Sequence, residues 1–166
     1  MFKELLLNAQ DIGGVFKTDP VTDDHLFAVQ DRLEKMGLQL PDEYSDFLFT
    51  TDGLFWAGLE FFGANPSGDK KNGYNITGLA EQNMLYQALN KGTDKVFIGR
   101  TDEENFVYNP VKDVYEIVDE FSGELVKEFA HFEEMFDYLI KEQMEIIQNY
   151  VGFNEDTLVD ETEEDF

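Results

Sequence analysis

The stretch "LPDEYSDFLFTTDGLFWAGLEFFG", residues 40–63, changes its hydrophobic period midway, and that change sets the fold class. Its first half predicts a helix over about 41–51. Pro41 suits a first turn, where its missing N–H goes unused, and Asp42 and Glu43 complement the positive end of the helix dipole. Tyr44, Phe47 and Leu48 form the inner stripe. Gly53, in "TTDG", takes positive φ without steric cost and stops the helix. Beyond it the period is 2, which predicts one strand over 54–62. Phe55, Ala57, Leu59 and Phe61 then share one face, and Trp56, Gly58, Glu60 and Phe62 share the other. Aromatics on both faces imply a covered strand, and Gly58 marks a bulge or a close approach by a neighbour.

Upstream, residues 3–10 read as a short helix ended by "DIGG". Leu26, Val29, Leu33 and Met36 fall at helical spacing between a cap at Thr22 or Asp23 and a terminating Gly37. Downstream, "GANPSGDKKNG" (63–73) reads as a polar loop, and a helix follows over about 77–89. Strands are expected at 95–100, 105–109, 113–119 and 124–129, the last two joined through Ser122-Gly123 as a hairpin. Phe132, Met135, Phe136, Leu139, Ile140, Ile146 and Ile147 make one apolar stripe on a closing helix over about 131–150. Helices, a mainly antiparallel single sheet and a closing helix make an α+β fold. The chain divides into one domain over 1–152 and an acidic tail over 153–166, expected to be mobile, because seven of its last twelve residues are acidic.

Composition narrows the function classes. At 42% hydrophobic and 14% aromatic, the body is globular. The absence of cysteine removes disulfides, thiolate metal sites and thiol nucleophiles. No signal peptide or spanning segment is evident, so cytoplasmic residence is expected. Thirty-six acidic against twelve basic residues leave a net charge of −24. Such a surface repels nucleic acid and anionic membranes and favours a basic partner, while the plainer reading is that the acidity keeps the protein in solution, so the charge alone decides little.

Motifs for chemistry are incomplete. In "GANPSGDKK" Gly68 is followed by Asp69 rather than Lys, and no Ser or Thr follows Lys70 or Lys71, so a phosphate loop is incomplete. "NEDTLVDETEED" (154–165) has Val159 where a calcium loop needs glycine. His25 and His131 lack the spacing of a zinc helix, and no nucleophile elbow accompanies them. Glu60 is the one carboxylate that invites a general-acid reading, against the plainer expectation of a strand-edge residue or one paired with Lys or Arg. No cofactor or metal site is expected.

The opening stretch resembles the hallmark of the SUKH superfamily, in its killer-toxin-resistance and cell-wall-regulator (Smi/Knr) branch. The resemblance is carried by Leu40, Pro41, Tyr44, Phe47, Leu48, Asp52, Gly53, Gly58, Phe62 and Gly63. "NITGLAEQN", "VFIGRTDEENFVYNP" and "FAHFEEMFDYL" follow in the same order, so it covers roughly residues 22–140. His131 stands where the family often has Ser, and the acidic tail lies outside the pattern. The resemblance implies a SUKH-like fold of one sheet with flanking helices. It also implies the role of an immunity protein that neutralises a cognate toxin domain, often a nuclease, by binding it. The alternatives are a regulatory module that docks on a basic protein and, remotely, a carboxylate-based hydrolase. Candidate partner-binding residues are Asp52, Trp56 and Glu60 in the hallmark and the acidic run Asp102, Glu103 and Glu104. A monomer is favoured, and the tail is expected to add long-range attraction rather than the main grip.

Overall fold

The computed structural model describes residues 2–69 and 71–164, with side chains up to Tyr150. In chain order the elements are α1 (Phe2–Ile12), β1 (Val15–Lys17), α2 (Asp23–Lys35), α3 (Asp42–Leu48), β2 (Leu54–Trp56), β3 (Leu59–Phe61), β4 (Ser67–Asp69), β5 (Tyr74–Ile76), α4 (Leu79–Leu89), β6 (Val96–Arg100), β7 (Glu104–Asn109), β8 (Val114–Asp119), β9 (Leu125–Phe129) and α5 (Phe132–Glu164). Seven strands form one sheet in the order β1-β2-β3-β6-β7-β8-β9, every neighbouring pair antiparallel. The fold is α+β, as the sequence predicts.

The strand expected over 54–62 is instead a hairpin. Trp56 pairs with Leu59 across a two-residue turn, and both turn residues have positive φ, Ala57 at 48° and Gly58 at 89°. That is the condition for a turn whose twist matches the flanking strands. The turn changes the facing. Leu54 and Trp56 lie opposite Phe61 and Leu59, while Phe55 lies opposite Glu60 on the other face. Phe55 and Phe61 therefore point to opposite sides, contrary to a straight alternation.

Other departures have similarly local causes. The helix expected over 41–51 is α3, only seven residues, with Pro41 as its N-cap rather than its first residue. The loop over 63–73 folds into the β4–β5 hairpin, whose Tyr74 packs against Phe16 and Phe55. β1 is too short to carry a periodic signal. The closing helix, expected to end near 150, is bounded at Glu164. The boundary proposed between 152 and 153 falls within α5, while the mobility of the tail and the calcium-loop reading of 154–165 concern residues whose side chains lie outside the described ones.

Burial on the helix-covered face concentrates in phenylalanine. Phe61 of β3 lies 5.7 Å from Phe47 of α3, and 5.7 and 5.5 Å from Phe132 and Phe136 of α5, ring centre to ring centre. These edge-on and tilted contacts add to the hydrophobic gain of burying each ring. Tyr44 ties α3 to the sheet, its buried hydroxyl aimed at the carbonyls of Phe62 and Ile98. α2 is capped as expected: the Thr22 hydroxyl accepts from His25 N, and Gly37 follows at φ +77°.

Candidate functional site

Two turns and one helix enclose a cleft of about 380 Å³ at one end of the sheet. The β2–β3 turn contributes Ala57 and Gly58, the β6–β7 turn contributes Asp102 and Glu103, β7 contributes its first residue, Glu104, and α5 contributes Glu142. Leu59, Leu139 and Ile146 also line it, and Ile146 is 55% exposed. The acidic turn is held open by its own threonine. Thr101 Oγ1 accepts from the amides of Glu103 (3.3 Å) and Glu104 (3.2 Å), and Thr101 N donates to Glu104 O. α5 is pinned beside the hairpin by Gln143, whose Nε2 donates to the carbonyls of Trp56 (3.0 Å) and Ala57 (2.9 Å).

The six candidate residues divide into two groups. Asp102 and Glu103 are exposed and Glu104 is half-buried, all three on the cleft. Asp52, Trp56 and Glu60 are buried, at 6%, 0% and 4% exposure. Asp52 accepts from Ala64 N (2.6 Å), Asn65 N (3.3 Å) and Asn65 Nδ2 (3.0 Å), holding the chain just after β3. The Trp56 indole donates to Gly13 O. Glu60 accepts from Thr77 N and Oγ1 at 2.7 Å each and pairs with Arg100 Nε at 3.2 Å. Both oxygens are engaged, which fits the expectation of a carboxylate paired with Lys or Arg. These three side chains build the scaffold and offer a partner almost no surface. The histidines are exposed: His25 Nδ1 lies 2.9 Å from Asn65 Nδ2, and His131 Nδ1 lies 3.4 Å from Glu43.

Glu142 and Gln143 escape sequence reading. Leu139, Glu142, Gln143 and Ile146 share one side of a helix by spacing, but only the tertiary fold sets that side against the hairpin turn. Among the described residues, none of the ion pairs involves Asp102, Glu103, Glu104 or Glu142. No group of three or more His, Asp or Glu among them is arranged to hold a metal ion, and no described helix is long and apolar enough to cross a membrane.

Crowding leaves a signature on Glu104. Partial burial, reinforced by Glu142, Glu103 and Asp119, holds its carboxyl above the ordinary range. A raised folded pKa means that the folded state binds this proton more tightly than the unfolded chain. Ionisation therefore costs stability as pH rises through the window above about 4.3. Glu104→Gln should stabilise the protein at pH 7 by about 0.5 kcal/mol or less after solvent screening. The gain should fade below about pH 4. Urea unfolding at both pH values checks this, and an equal gain at both would contradict the electrostatic account.

Comparison with known proteins places this architecture. A search of the curated proteins found no match. The family model described as SMI1 / KNR4 family (SUKH-1) matches residues 20–138, a span from just before α2 into the second turn of α5 that includes the hallmark hairpin and the acidic turn. That span is well over half of the chain, and the chain therefore belongs to the SMI1 / KNR4 family (SUKH-1).

Proposed function

We propose that this chain is an immunity protein that binds and neutralises a cognate toxin domain, gripping a basic surface of it with the cleft at Glu104. The family is associated with immunity and regulatory roles and is generally non-catalytic. The observation that carries the reading is the cleft itself: four carboxylates without counter-ions, one with a raised pKa, around the apolar side chains Leu59, Leu139 and Ile146. A lysine or arginine docked there relieves the like-charge repulsion that the free protein carries, and Ile146, the exposed apolar residue of the lining, supplies apolar area beside it. A nuclease toxin suits this best, because a phosphate-binding groove is basic. The remaining negative charge raises the encounter rate at low salt. The chemistry-bearing residues hold the fold together instead, as Glu60 does, and the protein acts by occlusion.

The test is co-expression with a toxin domain found encoded beside this gene, using the wild type and a triple variant, Asp102→Lys, Glu103→Lys and Glu104→Lys. The wild type should restore growth. The variant should fold, because two of the three residues are exposed and the third is half-buried, yet associate about 100-fold more slowly at low salt. Full protection by the variant would remove the cleft from the interface. Binding to a basic protein without any rescue of growth would favour the regulatory role.

A further inference from the structure

A second acidic cleft, of about 420 Å³, lies between the start of α3 and the β7–β8 turn, lined by Gln39, Asp42, Glu43, Tyr108, Asp113 and Tyr115 among others. Acidic residues alone are unremarkable in this chain. What sets this cleft apart is Tyr115, 1% exposed, whose hydroxyl has no hydrogen-bond partner. Ser45 Oγ is the other such orphan among the described residues, and it lines neither this cleft nor the one at Glu104. Leaving a buried hydroxyl unpaired costs stability, so each instance calls for a reason.

The surroundings restrict what would complete this hydroxyl. Tyr108 OH donates to Asp113 Oδ1 at 2.7 Å, and Glu43 Oε2 accepts from Phe132 N at 3.1 Å with His131 3.4 Å away. No lysine or arginine among the described residues pairs with Asp42, Glu43 or Asp113. Burial, then Glu43, Tyr108, Asp113 and Asp42, push the Tyr115 hydroxyl far above its ordinary range, so it stays a neutral phenol with lone pairs to offer. Three carboxylates exclude an anion. A divalent metal needs several oxygens converging on one point, and that arrangement is absent among the described residues. An organic cation fits better. A guanidinium spreads five N–H donors over a plane, reaching separated acceptors at once, and it packs against aromatic rings. Tyr108, half-buried and 5.1 Å from the Tyr115 ring, supplies that wall.

We propose that this cleft captures the guanidinium of an arginine side chain presented by a protein partner, with Tyr115 OH accepting one of its N–H groups and Asp113, Asp42 and Glu43 balancing its charge. The site is separate from the cleft at Glu104. Its test uses a free peptide, so its failure leaves the toxin experiment standing, and the reverse also holds.

The probe is acetyl-Gly-Arg-Gly-amide, titrated at low salt into the full chain and followed by amide chemical shifts. Shifts should centre on Glu43, Asp113 and Tyr115. Tyr115→Phe should be at least as stable as the wild type, because it deletes an unpaired hydroxyl, yet bind the peptide about tenfold more weakly. The neutral citrulline peptide should not bind, and the lysine peptide should bind more weakly than the arginine one. Free arginine, whose own carboxylate meets the acidic rim, should also be weaker than the peptide. The proposal falls if Tyr115→Phe binds the arginine peptide like the wild type, or if shifts map elsewhere. Equal binding of the lysine peptide overturns the guanidinium assignment, and tighter binding of free arginine overturns the protein source.

Discussion

Phe132→Ala should lower the unfolding free energy by about 3–5 kcal/mol, a large part of what holds a domain this size together. The ring is fully buried at the first position of α5. Its centre lies 5.8 Å from Phe2, 5.2 Å from Tyr44, 5.4 Å from Phe47, 5.7 Å from Phe61, 5.7 Å from Tyr115 and 6.0 Å from Phe136. Those six rings belong to α1, α3, β3, β8 and α5, so one truncation opens a cavity where five elements meet. Rigid rings on several elements cannot all collapse into it, which places the cost at the high end. The control is Phe121→Ala, a ring 86% exposed, which should change stability by no more than about 0.5 kcal/mol. Urea unfolding of both variants makes the comparison. A loss below about 1.5 kcal/mol at Phe132 would mean that the core repacks freely. The effect also reaches function, because α5 carries Glu142 and Gln143 to the cleft, and a loosened helix start releases both.

The sequence made this core legible and left the site's assembly hidden, for one physical reason. Burial is periodic: Tyr44, Phe47 and Leu48 on α3 and Phe132, Met135, Phe136 and Leu139 on α5 repeat at helical spacing, and all are buried. Turn geometry is carried by one or two residues. "Ala57-Gly58" reads equally as strand interior with a bulge or as a two-residue turn, because alternation on either side looks the same until the register is known. The short β1, β4 and β5 fall below the length at which periodicity means anything. Asp102, Glu103 and Glu104 were legible as an acidic run, though not the half-burial of Glu104. Asp52, Trp56 and Glu60 were legible as special positions but not as buried ones, since a polar residue in an aromatic strand looks alike whether it binds a partner or holds a neighbouring loop. The Tyr115 cleft left no sequence signal at all, because an unpaired hydroxyl is a property of three-dimensional surroundings.

The glycines of the hallmark hairpin separate scaffold from site. Gly53 and Gly58 have nearly the same backbone, φ +91° and +89°, so alanine meets similar left-handed strain at each, about 1–2 kcal/mol. Their surroundings differ. A Cβ at Gly58 meets nothing within 4 Å, whereas one at Gly53 runs into Ile76 Cγ2 and sits 3.0 Å from both Gly63 N and Phe61 O. Two of those three atoms are backbone, and Ile76 is fully buried, so nothing there can swing aside. Gly53→Ala should therefore cost about 2 kcal/mol more than Gly58→Ala, the added cost of overpacking. Denaturant midpoints at matched slope give this difference directly. Equal losses would mean that the Asp-Gly turn is kept for its φ alone. The expected inequality gives Gly53 a packing role: it lets the chain pass under Gly63 while Asp52 holds Ala64 and Asn65. Gly58, at the mouth of the cleft, has open space in front of it, and that space belongs to whatever docks against Glu104.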